Sequence, residues 1–313
     1  MLHCNTGIHM KFTKRKVISI PSQSIRGIVI DALKEMGLDE AKHDRPVSKP
    51  LFYLPNKRLP KKIHVFFHGL TSSTSNLKPA LDKAAEADPD TLFICLPLTG
   101  HTTREGLPKM GEDSHYNRDA KHLATLFQNL DNTFGLPIDI LGISAGATMV
   151  TAVLTKTPTP LFNAIRLLAP YYNVSIGPNS NAVVRQLFKD GKSPNKRTLA
   201  IGWLKQKTLN VISMRRWFKK TLNNKVTPFD PREFPKAELT RQFDLTYGQC
   251  CSLHKFARET VRTVKMQTKK KQFLHTPTIH LSKVDNVISL GEARKMAVRM
   301  NGALIEHEGP NHN

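Results

Sequence analysis

Gly142-Ile143-Ser144-Ala145-Gly146 places a hydroxyl between glycines two residues to either side. The preceding Pro137-Ile138-Asp139-Ile140-Leu141 reads as a short buried strand, and Ala145 to Leu154 as a helix of small and apolar residues. At such a strand–turn–helix bend a serine points outward from a sparsely populated backbone conformation, while the glycines let strand and helix pass closely. A serine hydroxyl is a poor nucleophile at its own pKa, so acyl transfer needs a base, an acid to hold that base, and donors for the oxyanion. Asp285 lies just past the strand-like Thr278 to Ser282, in Leu281-Ser282-Lys283-Val284-Asp285-Asn286-Val287-Ile288. His312 follows the last strand-like run, in the loop Glu308-Gly309-Pro310-Asn311-His312. Asp244 is the weaker substitute for the acid and His307 the nearest rival for the base. For the oxyanion, the backbone N–H of Ala145 opens the helix after the serine, and that of Leu70 follows His68-Gly69 at the end of an earlier strand. His68 and His101 read as histidines that shape turns.

The elements that must position these groups alternate from about Lys62 onward. Ile63 to Phe67 reads as a strand, Asn76 to Ala87 as a helix and Thr91 to Leu96 as a strand; a longer loop then leads to a helix from Ser114 with Ala120, Leu123, Ala124, Phe127 and Leu130 on one face. Asn163 to Ala169 is the strand after the elbow helix. Alternation pauses there and resumes with Thr278 to Ser282 (strand), Ser289 to Met300 (helix) and Ala303 to His307 (strand). This predicts an α/β fold with a mostly parallel central sheet and helices on both faces. It divides the chain into a core of residues 1–172 and 275–313 and an inserted block, residues 173–274, whose clearest element is a helix near Ser252 to Val264. Before Lys62, Val17 to Ile20 and Leu51 to Leu54 read as edge strands, and Ile25 to Met36 as helix or strand.

With the order Ser144, Asp285, His312 established, the chain resembles the α/β-hydrolase superfamily, and within it the carboxylesterases and monoacylglycerol lipases. Those enzymes carry a His-Gly-apolar turn, a Leu-Pro-x-x-Gly-His turn and a Gly-x-Ser-x-Gly elbow in this order. Here they read His68-Gly69-Leu70, Leu96-Pro97-Leu98-Thr99-Gly100-His101 and Gly142 to Gly146. The match covers about residues 61–174 and 275–312, and the insertion occupies the position of the family's lid. The resemblance implies a serine esterase or lipase, acting on an acylglycerol or a lysophospholipid-like ester and needing no cofactor. It departs from the pattern at its end. Only Asn313 follows His312, where related enzymes carry a helix packed on the sheet, so the alternative expectation is a truncated, catalytically impaired hydrolase fold.

Charge adds a second theme. The chain has 313 residues and a formal net charge of +22, and residues 173–274 hold 22 Lys and Arg against 6 Asp and Glu. Such a field favours anionic partners, with an anionic membrane surface as one candidate. Within the insertion, Arg215-Arg216-Trp217-Phe218-Lys219-Lys220 reads as an amphipathic lid helix or an interfacial anchor. Nucleic acid is an unlikely partner, because no recognisable binding motif accompanies the charge. No Cys/His spacing suits a metal and no Gly-rich loop suits a nucleotide. No apolar run reaches the ~18 residues of a membrane span, and no secretory signal is evident. Cys4, Cys95, Cys250 and Cys251 form no spaced framework and read as reduced thiols. The expected location is the cytoplasm, with peripheral attachment to a membrane as an option.

Overall fold

The structure is a computed structural model, and it describes residues 22–36, 50–54, 60–70, 72–98, 114–173, 247–285 and 287–308. Its elements in chain order are α1 (Ser22–Glu35), β1 (Leu51–Tyr53), β2 (Lys62–Phe67), α2 (Thr74–Ala87), β3 (Thr91–Leu96), α3 (Ser114–Phe134), β4 (Ile138–Ile143), α4 (Ala145–Leu154), β5 (Phe162–Leu168), α5 (Tyr247–Lys269), β6 (Thr278–Ser282), α6 (Leu290–Arg299) and β7 (Ala303–His307). The seven strands form one sheet in the order β1-β3-β2-β4-β5-β6-β7. Among the described strands only β1 runs antiparallel, against β3, and the other pairings are parallel.

The order explains why several loops meet. Phe67 at the end of β2 pairs with Leu96 of β3 and Gly142 of β4, Ile143 pairs with Leu168, and Ser282 pairs with His307. All the parallel strands therefore end at one edge. The chain leaves β2 toward β3 on one side and returns to β4 on the other, so the switch in strand order falls between β2 and β4, where open α/β sheets bind ligands.

Strand alternation separates two apolar layers. On one face, Ile63, Val65 and Phe67 of β2 and Leu92, Ile94 and Leu96 of β3 pack with residues of α1, α3, α4, α5 and α6 in the main core. On the other face, Phe93 and Cys95 meet Leu81 and Ala85 of α2. β3 is buried along its whole length because both of its faces are covered. The Ile25–Met36 stretch is helical because Ile25, Val29 and Leu33 recur every four residues and bury one stripe in the main core.

α5 extends beyond the expected Ser252–Val264 at both ends. Its central stripe, Leu253, Phe256, Ala257 and Val264, belongs to the main core, while its last turn is polar and carries Lys269. Of residues 173–274, then, α5 packs with the sheet layer, and residues 174–246 lie outside the described residues, as do Val17 to Ile20 and the Arg215–Lys220 stripe. Cys95, Cys250 and Cys251 are buried and form no disulfide.

Candidate active site

Ser144 connects β4 to α4 with φ 52° and ψ −114°, a region that side-chain-bearing residues rarely adopt. The bend is over-determined from both sides. Its N–H donates to the Leu168 carbonyl of β5 at 2.8 Å, and its carbonyl accepts from Ala147, Thr148 and Tyr171. A Cβ on Gly142 would lie 2.6 Å from the Ala147 backbone, and one on Gly146 would lie 2.5 Å from the carbonyl oxygens of Phe67 and His68. Neither position has room for a side chain, so both glycines of the motif are steric requirements.

α4 is buried at all ten of its residues. Its threonines are satisfied internally, which removes the cost of burying their hydroxyls. Thr148 Oγ1 donates to the Tyr171 carbonyl at 2.6 Å, and Thr151 Oγ1 pairs with the Tyr172 hydroxyl at 2.8 Å. A rigid helix thus holds the elbow, with its positive dipole end at Ala145.

The His68-Gly69-Leu70 turn lies against this elbow. A Cβ on Gly69 would sit 3.5 Å from that of Ser144. The fully buried His68 ring organises the turn. Nδ1 donates to the Gly69 carbonyl at 2.8 Å, and Nε2 accepts the N–H of Leu98 at 3.2 Å, tying the ends of β2 and β3 together. Leu70 and Ala145 share one small apolar cavity, of about 10 Å³, with Tyr116, Met149, Leu253 and Phe256. That volume is roughly one water molecule's worth. Tyr116 stacks on Phe256 with centroids 5.0 Å apart. Leu253 and Phe256 belong to the apolar face expected of the helix near Ser252 to Val264, whereas Tyr116 and Met149 carry no mark of the site in the sequence beyond their place on apolar helix faces.

Asp285 is buried beyond β6, at the same sheet edge as Ser144. Its Oδ1 accepts the N–H groups of Val287 at 2.8 Å and Ile288 at 3.1 Å, so the carboxylate is anchored by its own loop. Ser289 then caps α6, and its N–H donates to the Asn173 carbonyl at 2.9 Å, joining this loop to the segment after β5. His312, Asp244 and His101 lie outside the described residues. β7, the strand before His312, ends at the same edge. His307, the rival base, is exposed and its Nε2 pairs with His280 Nδ1 at 3.0 Å. The buried His254 is held at a pKa of about 4, by burial first and then by the Arg258 charge, which makes it a weak base. Among the described residues no group of His, Cys, Asp and Glu suits a metal ion, and no helix is long and apolar enough to cross a membrane.

No protein-family model and no curated protein sequence matches the chain. Solved structures do. A monoacylglycerol lipase from Paleococcus ferrophilus superposes with a TM-score of 0.57 at 11% identity, over 84% of this chain and 90% of that one. An esterase from Exiguobacterium antarcticum gives 0.54 at 14%, over 85% and 88%. A soluble variant of monoglyceride lipase from Saccharomyces cerevisiae, in complex with a substrate analog, gives 0.51 at 10%, over 84% and 83%. At these identities the likeness is one of fold, and the fold is that of the α/β-hydrolases.

Proposed function

We propose that this chain, built on the α/β-hydrolase fold, is a serine hydrolase of carboxylic esters, with an acylglycerol or lysophospholipid-like substrate. The observation that carries the reading is the strained Ser144 at the N-terminus of α4, with a loop-anchored Asp285 at the same sheet edge. Ser144 Oγ attacks the acyl carbon as its proton passes to the His312 imidazole, which Asp285 orients. The carbonyl oxygen becomes an oxyanion facing the amides of Leu70 and Ala145. The imidazolium returns its proton to the leaving alkoxide as the ester C–O bond breaks. Water, deprotonated by the same imidazole, then releases the acid and frees Ser144. The amides are the larger electrostatic element, since one such donor contributes ~2.7–4 kcal/mol to lowering the barrier. The apolar cavity beside them suits an acyl tail, and its small volume means that the tail displaces side chains such as the flexible Met149. Residues 173–274 are assigned as the lid region, whose helix α5 packs into the main core and lends Leu253 and Phe256 to the wall of the cavity.

A fluorophosphonate probe together with p-nitrophenyl esters of graded chain length tests this reading. Wild type is expected to be labelled and to turn over esters, and Ser144→Ala to do neither. Equal labelling of both proteins would remove Ser144 from the mechanism. The basic insertion motivates a second reading, an impaired hydrolase fold that binds an anionic surface. Its signature is salt-sensitive binding to anionic liposomes with no ester turnover.

A further inference from the structure

A second and larger cavity, of about 350 Å³, lies between α5 and α6, and its described lining includes none of Ser144, Asp285, Leu70 and Ala145. Arg258, Arg262 and Lys265 of α5 and Arg299 of α6 face it, with Glu292 the one lining carboxylate among the described residues. The spacing of Arg258, Val261, Arg262 and Lys265 is that of a single helical face, so three cations stack along one stripe. Like charges four residues apart weaken a helix unless something neutralises them. Glu292 does not, because its Oε1 already accepts from Arg299 Nη1 at 2.9 Å. Among the described residues no carboxylate forms an ion pair with Arg258, Arg262 or Lys265. Nη1 of Arg258 is moreover buried without any hydrogen-bond partner. A charged donor withdrawn from water and given no acceptor is costly, and an acceptor supplied by a ligand would repay it.

We propose that this cleft binds a phosphate group, held by Arg258, Arg262, Lys265 and Arg299. A dianion matches the excess of positive charge better than a single carboxylate. Guanidinium forks fit the oxygens of a phosphate two at a time, and the ammonium of Lys265 adds a point charge at the rim. The volume leaves room for the organic part of a small phosphate ester or for the headgroup of a phospholipid. The inference is independent of ester hydrolysis, because its readout is binding.

The test uses the full chain and inorganic phosphate against chloride at matched ionic strength, following Tm with concentration. Wild type and Lys295→Gln, a change at an exposed α6 side chain outside the cleft, are expected to show the same saturable stabilisation by phosphate. In Arg258→Gln/Arg262→Gln the apparent affinity should fall about tenfold or more, and in Lys265→Gln about threefold. If the double variant fails to fold, Lys265→Gln decides. Co-sedimentation with phosphatidic acid against phosphatidylcholine vesicles separates the sources. Vesicle binding lost in the variants assigns a lipid headgroup, and indifferent vesicles with the phosphate response intact assign a soluble ester. An equal response to chloride and phosphate, or variants that respond as wild type does, would overturn the proposal. Fluorophosphonate labelling of the same variants is expected to be unchanged, which keeps this result distinct from the fate of Ser144.

Discussion

Gly146 approaches the main chain of Phe67 so closely that a Cβ there would lie 2.5 Å from the Phe67 carbonyl oxygen. The first turn of α4 therefore rests directly on the end of β2, and the two turns that present Leu70 and Ala145 form one mechanical unit. Gly146→Ala would have to push backbone rather than a flexible side chain. A destabilisation of about 1–3 kcal/mol is expected, read as a lowered urea midpoint. Ester turnover should fall further than the folded fraction does, since the displaced backbone leads directly into the turns of Leu70 and Ala145, whose amides are the proposed oxyanion donors. A variant as stable and active as wild type would show that the contact yields freely.

Ser144, the proposed nucleophile, sits in a strained backbone conformation. Its conformation costs ~1–3 kcal/mol for a residue with a Cβ and little for glycine. Ser144→Gly is therefore expected to abolish turnover while raising stability by about 1 kcal/mol, the relief exceeding the added chain entropy of glycine. Ser144→Ala should also be inactive, but without that gain. Denaturant titration of both variants checks the difference, and equal stabilities would mean that the bend carries no strain.

Asp285 has two separable tasks. Its Oδ1 caps the turn through Val287 and Ile288, and its charge is assigned to hold the catalytic imidazole. Asn keeps an oxygen for the turn and loses the charge. Asp285→Asn should therefore leave the urea midpoint within about 0.5 kcal/mol of wild type while kcat drops by a factor of the order of 10³–10⁴. Asp285→Ala should lose activity and also about 1–3 kcal/mol of stability, from two amides left without an acceptor. Full activity in Asp285→Asn would remove the residue from the triad.

The alternating elements and the elbow were legible because their causes are local. A run such as Thr91 to Leu96 has one reading once both of its faces must be buried, and the glycines at 142 and 146 answer to neighbours a few residues away or on the next strand. What escaped the sequence depends on partners far along the chain. His64 and Asp139 are 75 positions apart, yet β2 and β4 set them side by side with Nε2 and Oδ2 2.5 Å apart, Asn163 Nδ2 donating to the other carboxylate oxygen at 2.8 Å. Nothing in either segment alone signals that cluster. The ends of α5 are hidden from the sequence for a related reason. Its apolar stripe was readable, whereas its polar last turn is helical by continuation and leaves no periodic mark. The cleft between α5 and α6 is hidden as well, because it joins Arg299 of α6 to cations of the basic insertion from which it is separated in sequence.

His254 and Asp119 are buried groups that pull acid stability in opposite directions. Burial, reinforced by the Arg258 charge, lowers His254 from the ordinary 6.5 to about 4, so the unfolded chain binds more protons between those values and stability falls as pH drops through them. Burial raises Asp119 from 3.8 to about 6 despite its contact with Arg118, so the folded chain binds the extra proton and stability rises as pH drops from about 6 toward 4. Each effect is of the order of 3 kcal/mol, and they overlap. Wild-type stability should therefore change little from these two groups between pH 7 and 4. His254→Gln removes only the loss and should become more stable at pH 4 relative to pH 7. Asp119→Asn removes only the gain and should become less so. Urea unfolding of the three proteins at both pH values is the measurement. Three parallel profiles would show that neither group changes its proton affinity on folding.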